Sequence, residues 1–271
     1  MNYRTKVSMS DVINERPLPA FSHVIISFLS KLSVSLFSDS SVKEFPDLVH
    51  FAFFIREKNL TTQKLKYYDE ANAVRLGLGL AFHIAPSNVP LNFAYSLVSA
   101  LLCGNPSIVR ISSTNFPQSD KLIEHINKIL EMGSFPPFLT IIQYEHDARM
   151  KKEQISVNDY LSQNCRVRML WGGDQTISYF KQISSNQDAV DITFPNKYSI
   201  CLIDKDSYLA YPDKKKIARK FFADAYTFDQ NGCSSPRCVF WISRYANELK
   251  AQDIFWQSIS DVIAQNEYQT G

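Results

Sequence analysis

Glycine is scarce in this sequence. Eight glycines in 271 residues are few for an α/β protein that grips a nucleotide through a glycine-rich loop. The stretch GLGLAFH (77–83) holds a G-x-G, but Phe82 stands where the dinucleotide fingerprint needs its third glycine. That excludes the ordinary Rossmann motif, so any dinucleotide is bound another way. The five cysteines (103, 165, 201, 233, 238) form no C-x-x-C pair and no His/Cys spacing suited to zinc. An odd count without a framework fits a reducing, cytoplasmic setting. Cys103, Cys165 and Cys201 lie in apolar or strand-like runs and are expected in the core. Neither sign of charge dominates: 29 basic against 27 acidic residues leave +2, giving no electrostatic basis for nucleic-acid binding. The N-terminus, MNYRTKVSMSDVINERPLPA, has no signal-peptide pattern. Residues 76–109 lack Asp, Glu, Lys and Arg, yet Pro86, Asn88, Pro90 and Asn92 interrupt them. The helix-like part, about 13 residues, is too short to span a bilayer. A soluble protein without a membrane span is expected.

What is present is apolar surface: 45% apolar residues, with 19 Phe and 13 Tyr, enough to exclude disorder. The first third, 1–75, reads as a helical layer. LPAFSHVIISFLSKLSVSLF and PDLVHFAFFIREKNL carry apolar residues at three-to-four spacing, the second as one helix starting at Pro46. From 76 to 195 strands and helices alternate. GLGLAFHIA, SIVRIS, FLTIIQY, CRVRMLW and AVDITF read as strands. Between them come helices over PLNFAYSLVSALLC, over QSDKLIEHINKILEMG (Ser119 its N-cap, Gly133 its stop), over about 148–162, and over DQTISYFKQI. This order predicts a mostly parallel, Rossmann-like sheet. Residues 196–271 open a further α/β unit: strand YSICLID, helix DKKKIARKFFADAYTF, strand RCVFWI, and a helix from about 246 to 265.

Four places carry candidate chemistry. HIAPSNVPLNF follows a strand and opens a helix, at the carboxyl edge where open α/β sheets bind ligands. Asn88, between two prolines, could donate to an oxyanion or simply make local turn bonds. In VRISS, Arg110 ends the next strand at the same edge. It could hold a ribose hydroxyl or a 2′-phosphate, or be a solvated charge. WGGDQT sets Gly172 and Gly173 between a strand and a helix, a phosphate-facing start or a tight turn. Finally YTFDQNGCSSPRC holds Cys233 on a short polar connection between apolar segments. A cysteine is usually a small buried hydrophobe, so that setting is unusual. His83, on an apolar strand, reads as a packed histidine.

The order of these motifs resembles the aldehyde dehydrogenase superfamily, and within it the long-chain fatty-acyl-CoA reductases of bacterial bioluminescence systems. The resemblance runs from about residue 17 to residue 245, and DQNGCSSP, APSNVP and FPDLVHFAFFIREKNL point to the reductase branch. It implies an aldehyde-dehydrogenase-like fold, with Cys233 as nucleophile and Asn88 as oxyanion donor. It also implies a cofactor, NADPH with NADH as the alternative, beside Arg110, Ser112, Gly172, Gly173, Asp174 and Thr193. The implied reaction reduces a long-chain fatty acyl-CoA or acyl-protein to the aldehyde through S-acyl-Cys233. An acyl-protein synthetase or acyltransferase partner, and a homo-oligomeric state, are implied with it.

Three departures stand against that pattern. In TFPNK, Thr193 replaces the glutamate that activates water in aldehyde-oxidising members, which disfavours hydrolysis of an acyl-enzyme. EHDARMKK follows the strand FLTIIQY where many members have a Gly-Pro-rich turn. The sequence given stops about 38 residues after Cys233, short of a nicotinamide-ribose ligand and a dimerisation strand, and a sheet left open there favours association. Two other classes therefore stay open: a shortened, non-catalytic binding or structural paralogue, and a cysteine acyltransferase or thioesterase without nicotinamide.

Overall fold

The computed structural model describes residues 1–68, 73–152, 154–226, 230, 232–243 and 250–266. It falls into two compact units, Met1–Pro195 and Asn196–Gly271. In the first unit come β1 (Asn2–Tyr3), α1 (Met9–Ile13), α2 (His23–Ser38), α3 (Pro46–Phe54) and α4 (Glu57–Tyr67). Next are β2 (Ala81–Ile84), α5 (Asn92–Leu102), β3 (Ser107–Arg110), α6 (Pro117–Glu131) and β4 (Leu139–Gln143). The unit closes with α7 (Val157–Asn164), β5 (Val167–Trp171), α8 (Asp174–Gln182) and β6 (Val190–Phe194).

The sheet order is β1-β4-β3-β2-β5-β6. All pairings are parallel except β1 with β4. Strands β2 to β5 are almost wholly buried, as parallel strands covered on both faces must be, which is why they read as apolar runs. One face meets α2, α3, α5 and α6 in a continuous core holding Phe28, Leu32, Phe51, Leu97, Val109, Ile126 and Ile141. The other meets α1, α7 and α8 through Val12, Phe82, Ile108, Leu161, Leu170 and Phe180. Helices α2, α3 and α4 of the first third thus share one core with the sheet, while α1 packs in the other.

Several expectations are corrected. PDLVHFAFFIREKNL is two helices: Arg56 is extended (φ −64°, ψ 143°), so both Ile55 and Leu60 bury fully, and the Asn59 amide donates to the freed Phe54 carbonyl at 2.6 Å. Ser119 is not the cap of α6. Phe116 holds that position with Pro117 next, while the buried Ser119 hydroxyl donates to Pro90 O at 2.7 Å. The helix expected over 148–162 begins only at Val157, because Ser156 caps it by accepting from Asp159 N–H and Arg149 bridges to Ser156 before it. Strand β2 is shorter than GLGLAFHIA. Gly77 crosses the backbone of Gly104 so closely that a Cβ would sit 2.2 Å from its carbonyl oxygen, and Gly79 has φ +129°. Of the two glycines, Gly77 therefore serves a backbone crossing, and Gly79 takes a backbone conformation that other residues rarely adopt. Cys165 is buried and Cys201 half-buried, but Cys103, at the C-cap of α5, is exposed.

The second unit contains β7 (Ser199–Asp204), α9 (Lys205–Ala210), α10 (Lys214–Ala225), β8 (Pro236–Ile242) and α11 (Lys250–Gln265). Residues 227–228 and 246–249, included in the expected helices, lie outside the described residues. Parallel strands β7 and β8 pack one face on the helices, around Tyr208, Phe221 and Phe255. Their other face, with Ile200, Leu202, Phe240 and Ile242, is exposed. Among the described residues no helix is long and apolar enough to cross a membrane.

Candidate active site

Strand β2 lies mid-sheet; the chain leaves it through α5 to β3 on one side and later returns to β5 on the other. That reversal opens a crevice at the carboxyl ends of β2 and β5. The sequence delivers its motifs there. Loop 85–91, with exposed Asn88, follows β2, and the Gly172–Gly173 turn follows β5. The parallel register sets Arg110, Ile84, Leu170 and Thr193 in one row across four adjacent strands, about 4.8 Å apart from strand to strand.

Arg110 is not a solvated charge. It is half-buried, its guanidinium lies 5.2 Å from the Tyr144 ring centre, and Nη2 donates to Tyr144 O at 3.3 Å. Its Nε is buried without a hydrogen-bond partner. A buried donor in that state calls for an acceptor, and a hydroxyl or phosphate oxygen of a bound nucleotide has the right chemistry. Ser112 is two residues further on, its hydroxyl accepting from Thr114 N–H at 3.1 Å. Gly172 is required by space: a Cβ would sit 2.9 Å from Thr176 Cβ. Gly173 is the N-cap of α8 and gives that helix start no side-chain partner, leaving backbone N–H groups for an anion. Asp174, in the first turn and exposed, already places a negative charge there, which favours hydroxyl over phosphate contacts at that residue. The residues present therefore fit a nucleotide.

Other features of this edge were not legible in the sequence. Trp171 and Phe194, at the ends of β5 and β6, stack at 3.6 Å between ring centres and 6° between planes. Trp171 Nε1 donates to Ser96 Oγ at 3.1 Å, and Ser96 Oγ also meets His83 Nδ1 at 2.9 Å. His83 is fully buried, and burial pushes its pKa down to about 3, so the ring is neutral. It is a packed residue, as expected. The only signal for the stack was an aromatic ending each strand.

Cys233 belongs to the second unit. It sits in a turn closed by Ser235 N–H to Gly232 O at 3.0 Å, just before β8. Its carbonyl accepts from Ser199 Oγ at 2.7 Å, which ties the turn to the first residue of β7. Gly232 and Ser235 are buried while Cys233 is exposed. An outward thiol on a turn anchored at both sides is the presentation a nucleophile needs. Asp229 and Asn231 lie outside the described residues. No group of metal-ligating side chains occurs among the described residues.

The fold is that of the aldehyde dehydrogenases. Lactaldehyde dehydrogenase from Escherichia coli superposes with TM-score 0.63 at 13% identity, over 89% of this chain and 51% of its own. A 1-pyrroline-5-carboxylate dehydrogenase from Thermus, solved with NAD bound, gives 0.62 at 14%, over 89% and 49%. Within that fold the chain belongs to the acyl-CoA reductase (LuxC) family, which matches residues 55–254. The long-chain acyl-protein thioester reductase of Aliivibrio fischeri is 25% identical over 179 residues, and that of Photorhabdus luminescens 24% over 183. These stretches cover 64% and 67% of this chain but 35% and 36% of the relatives. The chain thus spans about a third of the length of the curated relatives it matches.

Proposed function

We propose that this chain carries the acyl-accepting site of a reductase that converts a long-chain acyl thioester to the aldehyde. The observation that carries the reading is the exposed Cys233 on its anchored turn, in a member of the acyl-CoA reductase family. The Cys233 thiolate attacks the acyl carbonyl, the carrier thiolate leaves with a proton, and S-acyl-Cys233 remains. Asn88 and the Cys233 backbone N–H donate to the oxyanion of the tetrahedral state. A nicotinamide cofactor, when bound, would supply the hydride that releases the aldehyde. Arg110, Ser112, Gly172, Gly173, Asp174 and Thr193 would hold it, and the buried, unpartnered Nε of Arg110 favours NADPH. Thr193 cannot activate water as a carboxylate would, which favours reduction over hydrolysis and over a thioesterase.

The relatives, long-chain acyl-protein thioester reductases, support an acyl-protein as carrier, hence an acyl-protein synthetase or acyltransferase as partner. Five free cysteines support a cytoplasmic location. The test is the intact mass of the chain after incubation with a long-chain acyl-CoA, beside Cys233→Ala, with and without NADPH. One acyl adduct that needs Cys233 and disappears with NADPH is expected. An adduct that persists with NADPH refutes hydride transfer by this chain, and no adduct refutes the nucleophile.

A further inference from the structure

A second set of residues, outside the first, has the arrangement of a hydrolytic nucleophile. Ser35 and Asp39 lie four residues apart, one in the last turn of α2 and the other its C-cap, so they share a face. His125 of α6 inserts its ring between them and is 2% exposed. Ser35 Oγ is 2.7 Å from His125 Nδ1, and His125 Nε2 is 3.2 Å from Asp39 Oδ2.

The protonation pattern follows from the partners. Hydrogen bonds from the Ser41 hydroxyl and N–H hold the Asp39 carboxyl well below the usual carboxylate range, with Lys121 and His125 adding to them. Asp39 is thus an acceptor only, and the proton between it and the ring belongs to Nε2. Burial lowers the His125 pKa, Asp39 opposing in part, so the neutral ring turns the lone pair of Nδ1 toward the Ser35 hydroxyl. A serine, a base and an orienting carboxylate are recognised as a triad by geometry and roles, not by chain order. Here the two ring nitrogens exchange the places they have in the serine proteases, with the same logic.

Ser35 also opens on a groove of about 710 Å³, within the range that takes a small-molecule ligand. Ile26, Val34, Ile129 and Met132 supply apolar wall, and Lys31 lines it one turn before Ser35. The Lys31 ammonium donates to Ser134 Oγ at 3.1 Å; Lys31 and Ser35 share a helix face, where an ammonium stabilises a developing oxyanion, and Glu57 lines the same groove. On the same wall, Ser30 Oγ is buried with no hydrogen-bond partner.

We propose that Ser35, His125 and Asp39 form a second nucleophilic site, which cleaves a carboxylic ester or thioester whose aliphatic chain lies in this groove. Ser35 Oγ bonds to the acyl carbon and its proton passes to His125 Nδ1. The bond from that carbon to the alkoxide or thiolate breaks, and the leaving group takes the proton from His125. Water then repeats the sequence and releases the acid, with no redox change. The site is independent of Cys233.

The experiment treats the Cys233→Ala chain with an alkyl fluorophosphonate, which loses fluoride as its phosphorus bonds to a nucleophilic serine. The modified residue is located by peptide fragmentation, and cleavage of p-nitrophenyl octanoate is followed in parallel. One adduct on Ser35 is expected, with ester cleavage lost in Ser35→Ala and slowed about 10²–10⁴-fold in His125→Gln. The adduct is read on a chain whose triad is intact, so misfolding of a variant cannot imitate a negative. No adduct, or one on Ser27, Ser30 or Ser38 instead, overturns the proposal.

Discussion

Arg168 gives the sharpest test of how this side of the sheet is held together. Its side chain is 4% exposed, on a strand in the middle of the first unit. Nε and Nη2 make a two-pronged contact with Asp191 at 2.6 and 2.7 Å, and Nη1 donates to Phe180 O at 3.0 Å. One guanidinium therefore joins β5, β6 and the end of α8, the three elements that carry Trp171, Thr193 and Asp174. In Asp191→Ala the charge remains buried with only the Phe180 carbonyl. Removing one partner of a buried pair costs about 3–5 kcal/mol. Asp191 is 27% exposed, so water can enter beside it and the low end, about 3 kcal/mol, applies. In a unit of this size 1 kcal/mol moves Tm by roughly 2–4 °C, giving a fall of about 6–12 °C by circular dichroism. The double replacement Arg168→Met with Asp191→Leu removes both charges and should recover most of the loss, because an apolar pair of similar volume is often neutral or better. A single variant within 1 °C of the parent, or a double variant worse than the single, refutes the reasoning.

Three further outcomes follow from the geometry. His83 has its pKa lowered to about 3 in the fold against about 6.5 unfolded, so below 6.5 the unfolded chain binds the extra proton. Its stability is complete above pH 6.5 and declines by up to about 1.4 kcal/mol per pH unit toward pH 3. Denaturant titrations at pH 7, 6 and 5 should lose that slope in His83→Asn, and an unchanged slope sinks the assignment. Asn88→Ala should slow acylation of Cys233 by about 10²–10³-fold in stopped-flow mass analysis, with an unaltered rate removing Asn88 from the oxyanion site. Thr193→Glu should shorten the lifetime of the acyl-enzyme and divert product from aldehyde to acid, as read by chromatography; an unchanged product ratio argues against a role for position 193 in the fate of the acyl group.

What the sequence made legible was local. The strands β2 to β5 are mostly apolar runs because both faces are covered, and Gly133 (φ +66°) ends α6 as a left-handed glycine should. The carboxyl-edge position of Asn88, Arg110 and the Gly172–Gly173 turn followed from strand–helix order alone. What stayed hidden depends on residues far apart in the chain. Strand β1 is two residues long and exists only because β4 pairs with it. Ser119 looked like a cap because its hydroxyl partner, Pro90 O, is 29 residues away. Ser35 and His125, 90 residues apart, carry no shared pattern at all. Glycines 77 and 79 were read inside the strand GLGLAFHIA, yet β2 begins only at Ala81, because Gly77 meets the backbone of Gly104 and Gly79 has φ +129°.

The same distinction bears on the fate of an acyl group at Cys233. A reductase must keep its S-acyl cysteine long enough for hydride transfer, so the competing step to suppress is attack by water. A positioned base accelerates such a step by about 10²–10⁴-fold, and leaving it out slows hydrolysis by the same factor without touching the hydride path. Position 193 lies in the strand-end row with Ile84, Arg110 and Leu170, and next to it Phe194 stacks face to face on Trp171. A threonine there offers no base, and the neighbouring aromatic pair offers no proton acceptor either. Under the proposed chemistry, the missing carboxylate is itself a functional feature: it sets the order of two rates at one thioester.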